Sequence, residues 1–424
     1  MSLRTKYRAG LLAIVLPLMF IPVVIAIRAG VYDSWLDNPV NGFGMWGVFA
    51  IYLWTRPPRK EFVLVLAAAS VLHILRWAIA GEASYPGSSV INIGVYFPFL
   101  CVPILAYRAW KGPHKATHRL SVGGVLLFSY MSVFLAYYIS FAKIVCHYKF
   151  DYLLFAFDGS LGPHWNFWIG KIASAFHPLA ITLETAYYSL GLFVSVLFAA
   201  HVNLPNNKID ILKLNIASPI IGFSLYFLYP AMGPRYAFPS FPELPGHVPS
   251  GPALLYGVPN AMPSLHMAAA LTVFSLARPW RWLRWTTGVY LVVMFLAVLS
   301  TGEHYLVDTL VAIPYSLMMI AFVCRSDTPG RRYVLMAGSG MLALWLLVLR
   351  FGVFDAYTAR GLALITLALG FMIDRRLANG LWCCDGKTIL TEGTLVAGSD
   401  ANLLQLSTGV RTMLVDRQGP TGSI

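Results

Sequence analysis

The stretch VLSTGEHYLVDTLVAIPYSLMMIAFVC, residues 298–324, carries the two readings on which the rest of the chain turns. From Tyr305 to Val323 it is apolar throughout, with Asp308 as its one charged side chain. A run of this length suits a bilayer-spanning helix, which takes about 20 residues, and is too long for a barrel strand of about 9–11. A helix also satisfies its own backbone polar groups, which lipid does not. At the mouth of the run stand His304 and Asp308, four residues apart and therefore on one helical face.

Further apolar runs occupy roughly 9–29, 39–55, 62–80, 90–108, 120–142, 176–200, 211–232, 263–279, 284–302, 333–350 and 358–374. With the run at 305–323 they predict an all-α polytopic membrane protein of about twelve transmembrane helices. Composition agrees, since 58% of the 424 residues are hydrophobic and only 12% are charged, against roughly 25% charged in soluble domains. The basic start, MSLRTKYR, precedes a run too long for a cleaved signal, so the first segment reads as an anchored helix.

Charge sets the orientation. Alternate loops hold Arg56, Arg59 and Lys60; Arg108, Lys111, Lys115 and Arg119; Lys208 and Lys213; Arg278, Arg281 and Arg284; Arg325, Arg331 and Arg332; and Arg375 and Arg376. The opposite loops hold Asp33 and Asp37, Glu82, Glu243 and Asp355. Lys and Arg collect in cytoplasmic loops, so both termini are expected in the cytoplasm. The net charge of +13 is scattered over these short loops, unlike the single basic stripe of a nucleic-acid surface; no nucleic-acid partner is expected. Cysteines at 101, 146, 324, 383 and 384 have neither metal-ligand spacing nor a disulfide pattern.

Residues 143–175 lie on the outer side and read as an aromatic interfacial helix, with Trp165, Phe167 and Trp168 at headgroup depth. Glu184, in the middle of the sixth run, and His73 with Arg76 in the third are ionisable groups at membrane depth and so functional candidates. Arg76, near the outer end of its run, also suits snorkelling to the headgroups.

Three motifs share the outer face. The seventh run ends in YPAMGPRYAFP with Arg235, the eighth opens in NAMPSLHMAAA with Ser264 and His266, and the tenth opens with His304 and Asp308. An Asp accepting from one imidazole nitrogen fixes the tautomer and leaves the other nitrogen free as a nucleophile. His266 can then act as general acid and base. Arg235 suits phosphate oxygens, and the Pro263–Ser264 helix start offers unpaired N–H groups to a phosphate. The set suffices for phosphoryl transfer without metal or cofactor.

At these residues the chain resembles the type-2 phosphatidic acid phosphatase superfamily, and within it the branch of inositol-phosphorylceramide synthases and their bacterial relatives. The resemblance rests on Pro263-Ser264-Leu265-His266, on Gly302-Glu303-His304-Tyr305 with Asp308, on Gly233-Pro234-Arg235-Tyr236, and on Asp151, Leu154, Asp158 and Leu161. It implies a six-helix catalytic core in which His304 is the nucleophile, His266 the acid/base and Asp308 the orienter, with Arg235 and Ser264 holding phosphate. Glu184, Tyr236 and Tyr305 are candidates for the acceptor or headgroup. Leu228 and Val298 stand where the phosphatases carry a Lys and an Arg, which favours a phosphodiester donor and transfer over hydrolysis. The expected activity is therefore that of a phosphotransferase moving a phosphorylated, phosphoinositol-type headgroup from a phospholipid or polyprenyl phosphate to a lipid, polyol or glycan. A lipid-phosphate or polyprenyl-pyrophosphate phosphatase is the alternative, and a non-catalytic transporter or scaffold the reading from another class. The expected organisation is N-terminal helices over 1–142, the core over 143–325, a helix pair over 326–379 and a cytoplasmic tail over 380–424. The expected location is a bacterial inner membrane, with the site facing the periplasm or exterior.

Overall fold

The computed structural model describes residues 39–80, 92–112, 115–204, 207–384 and 387–388. The expected span at 9–29 and the tail beyond 388 lie outside them. Helices α1 (Pro39–Trp54), α2 (Arg59–Ala80), α3 (Phe97–Lys111) and α4 (Lys115–Val145) lead to a short strand β1 (Tyr148–Lys149). There follow α5 (Asp151–Leu161), α6 (Trp165–Ala175), α7 (His177–Tyr188), α8 (Leu190–Val202) and α9 (Ile211–Leu228). Strand β2 (Ala253–Leu254) pairs antiparallel with β1 and precedes α10 (Leu265–Leu276), α11 (Arg281–Ser300), α12 (Leu306–Val323), α13 (Arg331–Phe351) and α14 (Ala356–Trp382).

Six of these helices are long and apolar enough to cross a membrane, seven if α7 and α8 form one span. Among the described residues, which leave out the run at 9–29, the dozen expected from the sequence is not confirmed on that measure. Helix α10 shows why: Ser264 caps its first turn by accepting from the Met267 N–H, and the chain leaves the helix at Ala277, ahead of Pro279. Its 12 residues span only about 18 Å, against a hydrocarbon core of about 30 Å. The sixth run is also not one straight helix, because α7 and α8 bend by 43° at Ser189.

Segment 143–175 also departs from the single interfacial helix expected of it. It holds a strand and two helices, and Phe167 is buried against Phe155, Phe238 and Phe241 rather than at headgroup depth. Trp165 and Trp168 are half exposed.

The core forms around α12. Its spanning window is 78% buried, double that of any other candidate span, and it packs on α9, α10, α13 and α14, with α5 across its start. The C-terminal pair α13–α14 thus joins the same core. The N-terminal helices attach through α1, which lies along α8 at close range. A Cβ at Gly47 would come within 2.3 Å of the Ser195 hydroxyl oxygen, the small-residue contact that lets helices approach in lipid.

Several of the basic loops meet at one end of the bundle. Arg278 pairs with Asp374, Lys208 donates to the Gly380 carbonyl, and the Arg325 N–H donates to the Lys208 carbonyl. These basic loops gather at the ends of α10, α12 and α14 that face away from His304.

Candidate active site

Three loops meet at the other end. The first follows α9, the second leads into α10, and the third joins α11 to α12. Backbone hydrogen bonds stitch them together. The N–H groups of Asn260 and Ala261 donate to the Ala231 carbonyl at 2.9 and 3.0 Å, the Arg235 N–H to Gly302 at 2.9 Å, and the Ser264 N–H to Asp308 at 3.2 Å. Two glycines permit the closest approach. Gly233 has φ of +94°, and a Cβ there would lie 2.2 Å from the Glu303 carbonyl oxygen; Gly302 has φ of +70°, and its Cβ would press on Arg235 and Phe241. L side chains rarely adopt such φ values.

Beneath the loops, α5 presents two fully buried carboxylates. Asp151 accepts from the N–H groups of Met232 and Gly233 and from the Tyr305 hydroxyl at 3.0–3.1 Å. Asp158 accepts from the N–H groups of Leu306 and Val307, at 2.7 and 3.0 Å, and so caps α12 from outside its own chain segment. Burial pushes Asp151 up to about 6 and Asp158 up to about 8, while their amide donors pull both the other way. The sequence reading noted these residues only within a resembling segment. The available signal was two acids seven residues apart, on one face of an otherwise apolar helix.

His304 sits just before the N-cap of α12 and is 1% exposed. Its Nδ1 donates to the Ala261 carbonyl at 2.9 Å, with Asp308 Oδ2 farther away at 3.7 Å. That Asp308 oxygen accepts from the Tyr305 N–H at 2.7 Å in a capping box. The tautomer carrying a proton on Nδ1 is thus held first by a backbone carbonyl and second by the carboxylate, and Nε2 keeps its lone pair. Burial lowers the His304 pKa to about 4, opposed by the nearby Glu303 carboxylate and the Ala261 carbonyl.

His266 lies in the first turn of α10. Its ring stacks on Tyr187 with centroids 4.0 Å apart and stands 6.0 Å from the His304 ring. Ser264 is buried at the same helix start. Arg235 is anchored by its backbone to Gly302, two residues before His304, and its side chain is exposed. The structure therefore brings the loops bearing both imidazoles, Ser264, Asp308 and Arg235 to one end of the bundle.

The acceptor candidates separate. Tyr236 donates to Glu303 Oε1 at 2.8 Å, with the Asn260 amide 3.4 Å from Oε2, so a hydroxyl–carboxylate–amide group lies directly beside His304. Glu303 and Asn260 were not singled out from sequence, because a Glu before a motif His and an Asn before a Pro-Ser turn look like ordinary loop residues. Tyr305 is a correction: it is fully buried with its hydroxyl on Asp151, so it faces the core rather than a headgroup. Glu184 is exposed on α7 and accepts from the Tyr188 hydroxyl at 2.9 Å, and Tyr188 in turn lies within reach of the charges of Glu303 and Arg235. No metal-binding group of three or more His, Cys, Asp or Glu side chains occurs among the described residues.

No curated protein and no solved structure matches the chain. A family model does: residues 153–322, which hold Arg235, Ser264, His266, His304 and Asp308, match that of the PAP2 superfamily.

Proposed function

We propose that the protein is a membrane phosphotransferase that moves a phosphorylated headgroup from a lipid donor to a hydroxyl acceptor through a phosphohistidine on His304, without metal. The observation that carries this reading is the fixed His304 tautomer, with Nδ1 on the Ala261 carbonyl and the His266 ring 6.0 Å away. The PAP2 match supports a lipid phosphatase or phosphotransferase more broadly.

In the first half-reaction, His304 Nε2 attacks the phosphorus of a phosphodiester. The bond from phosphorus to the lipid alcohol oxygen breaks, and His266 in its protonated form, whose pKa burial and the neighbouring His304 lower to about 3, gives that oxygen its proton. The imidazolium character on the phosphorylated ring is stabilised by the Ala261 carbonyl and by Asp308. In the second, the acceptor hydroxyl loses its proton to His266 and its oxygen attacks phosphorus, the N–P bond breaks, and His304 is restored. Arg235 stabilises charge on the phosphoryl oxygens; the Ser264 and Met267 N–H groups at the start of α10, expected to be open to phosphate, are already donated to the Asp308 carbonyl and the Ser264 hydroxyl.

Transfer is favoured over hydrolysis by the charge of the loops. Their one permanent cation is Arg235, while Glu303 brings a carboxylate beside His304. A dianionic monoester is poorly served by that balance, and a monoanionic diester better. Tyr236, Asn260 and Glu303 supply the donors and acceptors that would hold a lipid, polyol or glycan hydroxyl. On the topology read from charge, the reaction takes place on the non-cytoplasmic face of a bacterial inner membrane.

The test is product analysis with a labelled phospholipid and a panel of alcohols. The labelled headgroup should appear on an alcohol, and His304→Ala should remove activity by several orders of magnitude, as loss of a nucleophile does. Release of free phosphate from monoesters with no alcohol adduct would establish the phosphatase alternative instead.

A further inference from the structure

We infer that the basic end of the bundle holds a second phosphate site, a cavity of about 550 Å³ where Arg278, Arg284 and Arg375 take the phosphate group of an anionic ligand. The cavity opens between the C-terminal end of α10, the first turn of α11 and the last turns of α14, at the opposite end from the histidines. It lies outside the machinery of the proposed reaction.

Three guanidiniums share one carboxylate there. Arg278 is 15% exposed and pairs with Asp374 through one terminal nitrogen, yet its Nε is buried without a hydrogen-bond partner. Burial, together with the neighbouring charges of Arg284 and Arg375, lowers the pKa of Arg278 despite Asp374. Three cations thus face one carboxylate, with Asn379 as the other polar side chain of the lining. Arg284 lies over the Phe274 ring at 5.7 Å and Arg375 over the Phe371 ring at 4.9 Å. Such cation–π contacts hold the planar groups in place while leaving their N–H edges open, and those edges match the oxygens of a phosphate.

The topogenic excess of cytoplasmic Arg accounts for cations in these loops. It does not account for a guanidinium whose Nε is buried and unfilled at the wall of a cavity. The ligand chemistry is a phosphate monoester or diester, either on a lipid headgroup or as a soluble anion. Phe371, 62% exposed and part of the lining, offers an apolar path for acyl chains in the first case.

The experiment uses the full chain in detergent, with Arg235→Gln and His304→Ala introduced to silence the first site. Thermal midpoints are titrated with inorganic phosphate, short-chain phosphatidylglycerol and short-chain phosphatidylcholine. We expect a saturable rise with the anionic lipid, with inorganic phosphate or with both, and little with the zwitterionic lipid. A response to the lipid alone assigns a headgroup; an equal response to phosphate assigns a soluble ligand. Adding Arg284→Gln and Arg375→Gln should weaken binding at least tenfold, and Asp374→Asn should tighten it, a gain that misfolding does not produce. No saturable rise with either anion, affinity unchanged by the Arg substitutions, or weaker binding in Asp374→Asn would overturn the assignment.

Discussion

At its start α12 is met by carboxylates, and at its end the bundle is held by cations. Asp158 accepts from the N–H groups of Leu306 and Val307, and Asp308 from that of Tyr305. At the other end Arg331 donates to the Phe322 carbonyl at 3.3 Å, and Lys208 donates to Gly380 at the end of α14 at 2.9 Å. Both arrangements follow from helix ends, which leave N–H groups without an intrahelical partner at the start and carbonyls at the finish. They differ in burial. The acids are sealed inside and each fixes named amides of a loop, whereas Arg331 and Lys208 are partly exposed and reach carbonyls that water can also serve. The comparison teaches where geometry is held tightly: around His304, and much less at the basic end.

The strongest way to break this contrast is Asp151→Ala. It strands the Met232 and Gly233 N–H groups and the Tyr305 hydroxyl inside the protein. Each buried unsatisfied group costs roughly 1–3 kcal/mol, and a loss of about 3–5 kcal/mol is expected after partial relaxation. Because Asp151 ties the Arg235 loop to the residue after His304, activity should fall even at temperatures where the variant remains folded. A variant with wild-type stability and turnover would remove α5 from the account of the site.

Smaller effects should follow from pH, and with opposite signs for the two buried groups. His304 is lowered to about 4 from an ordinary value near 6.5. Between those values the unfolded chain binds a proton that the folded chain does not, so this part of the stability is complete above about 6.5 and declines as pH falls towards 4. The acid limb of kcat/KM should accordingly lie near 4. Asp158 is raised to about 8. The folded chain then keeps a proton that the unfolded chain releases above about 4, so its contribution is complete below that and is lost as pH rises through 8. The thermal midpoint should fall from pH 6 to 9, and Asp158→Asn should flatten that slope. An unchanged slope in the variant would show that α12 is capped by a carboxylate already ionised at neutral pH.

How much of this was legible beforehand follows from the same contrast. Helical spans and charged loops depend on composition over many residues, and the run at Tyr305–Val323, apolar but for Asp308, is the most buried of the candidate spans among the described residues. The gathering of His266, His304 and Arg235 at one end could be read because the loop charges order the spans. Span count was harder to read, since the Ser264 cap and the bend at Ser189 shorten or break apolar runs without changing their composition. Side-chain partners were not legible. Sequence pairs His304 with Asp308 by spacing, whereas the nearer acceptor is the carbonyl of Ala261, 43 residues away and set by the fold of a loop. Tyr305 next to the nucleophile looks available to substrate until the position of Asp151 on α5 is known.

The smallest effect belongs to the basic end. Lys208→Met keeps the apolar stem and removes the charged donor to the Gly380 carbonyl. Charge near a helix C-terminus contributes about 0.3–1 kcal/mol when partly exposed, and water can take over at the freed carbonyl. The thermal midpoint should therefore drop only slightly in low salt. The gap between variant and parent should narrow at high ionic strength, where exposed charge interactions are screened. Turnover should not change, because this contact lies at the far end of the bundle from His304. A loss comparable to that of Asp151→Ala, or one indifferent to salt, would mean that the cations are as deeply committed to the fold as the carboxylates, and the two ends would have to be regarded as equivalent.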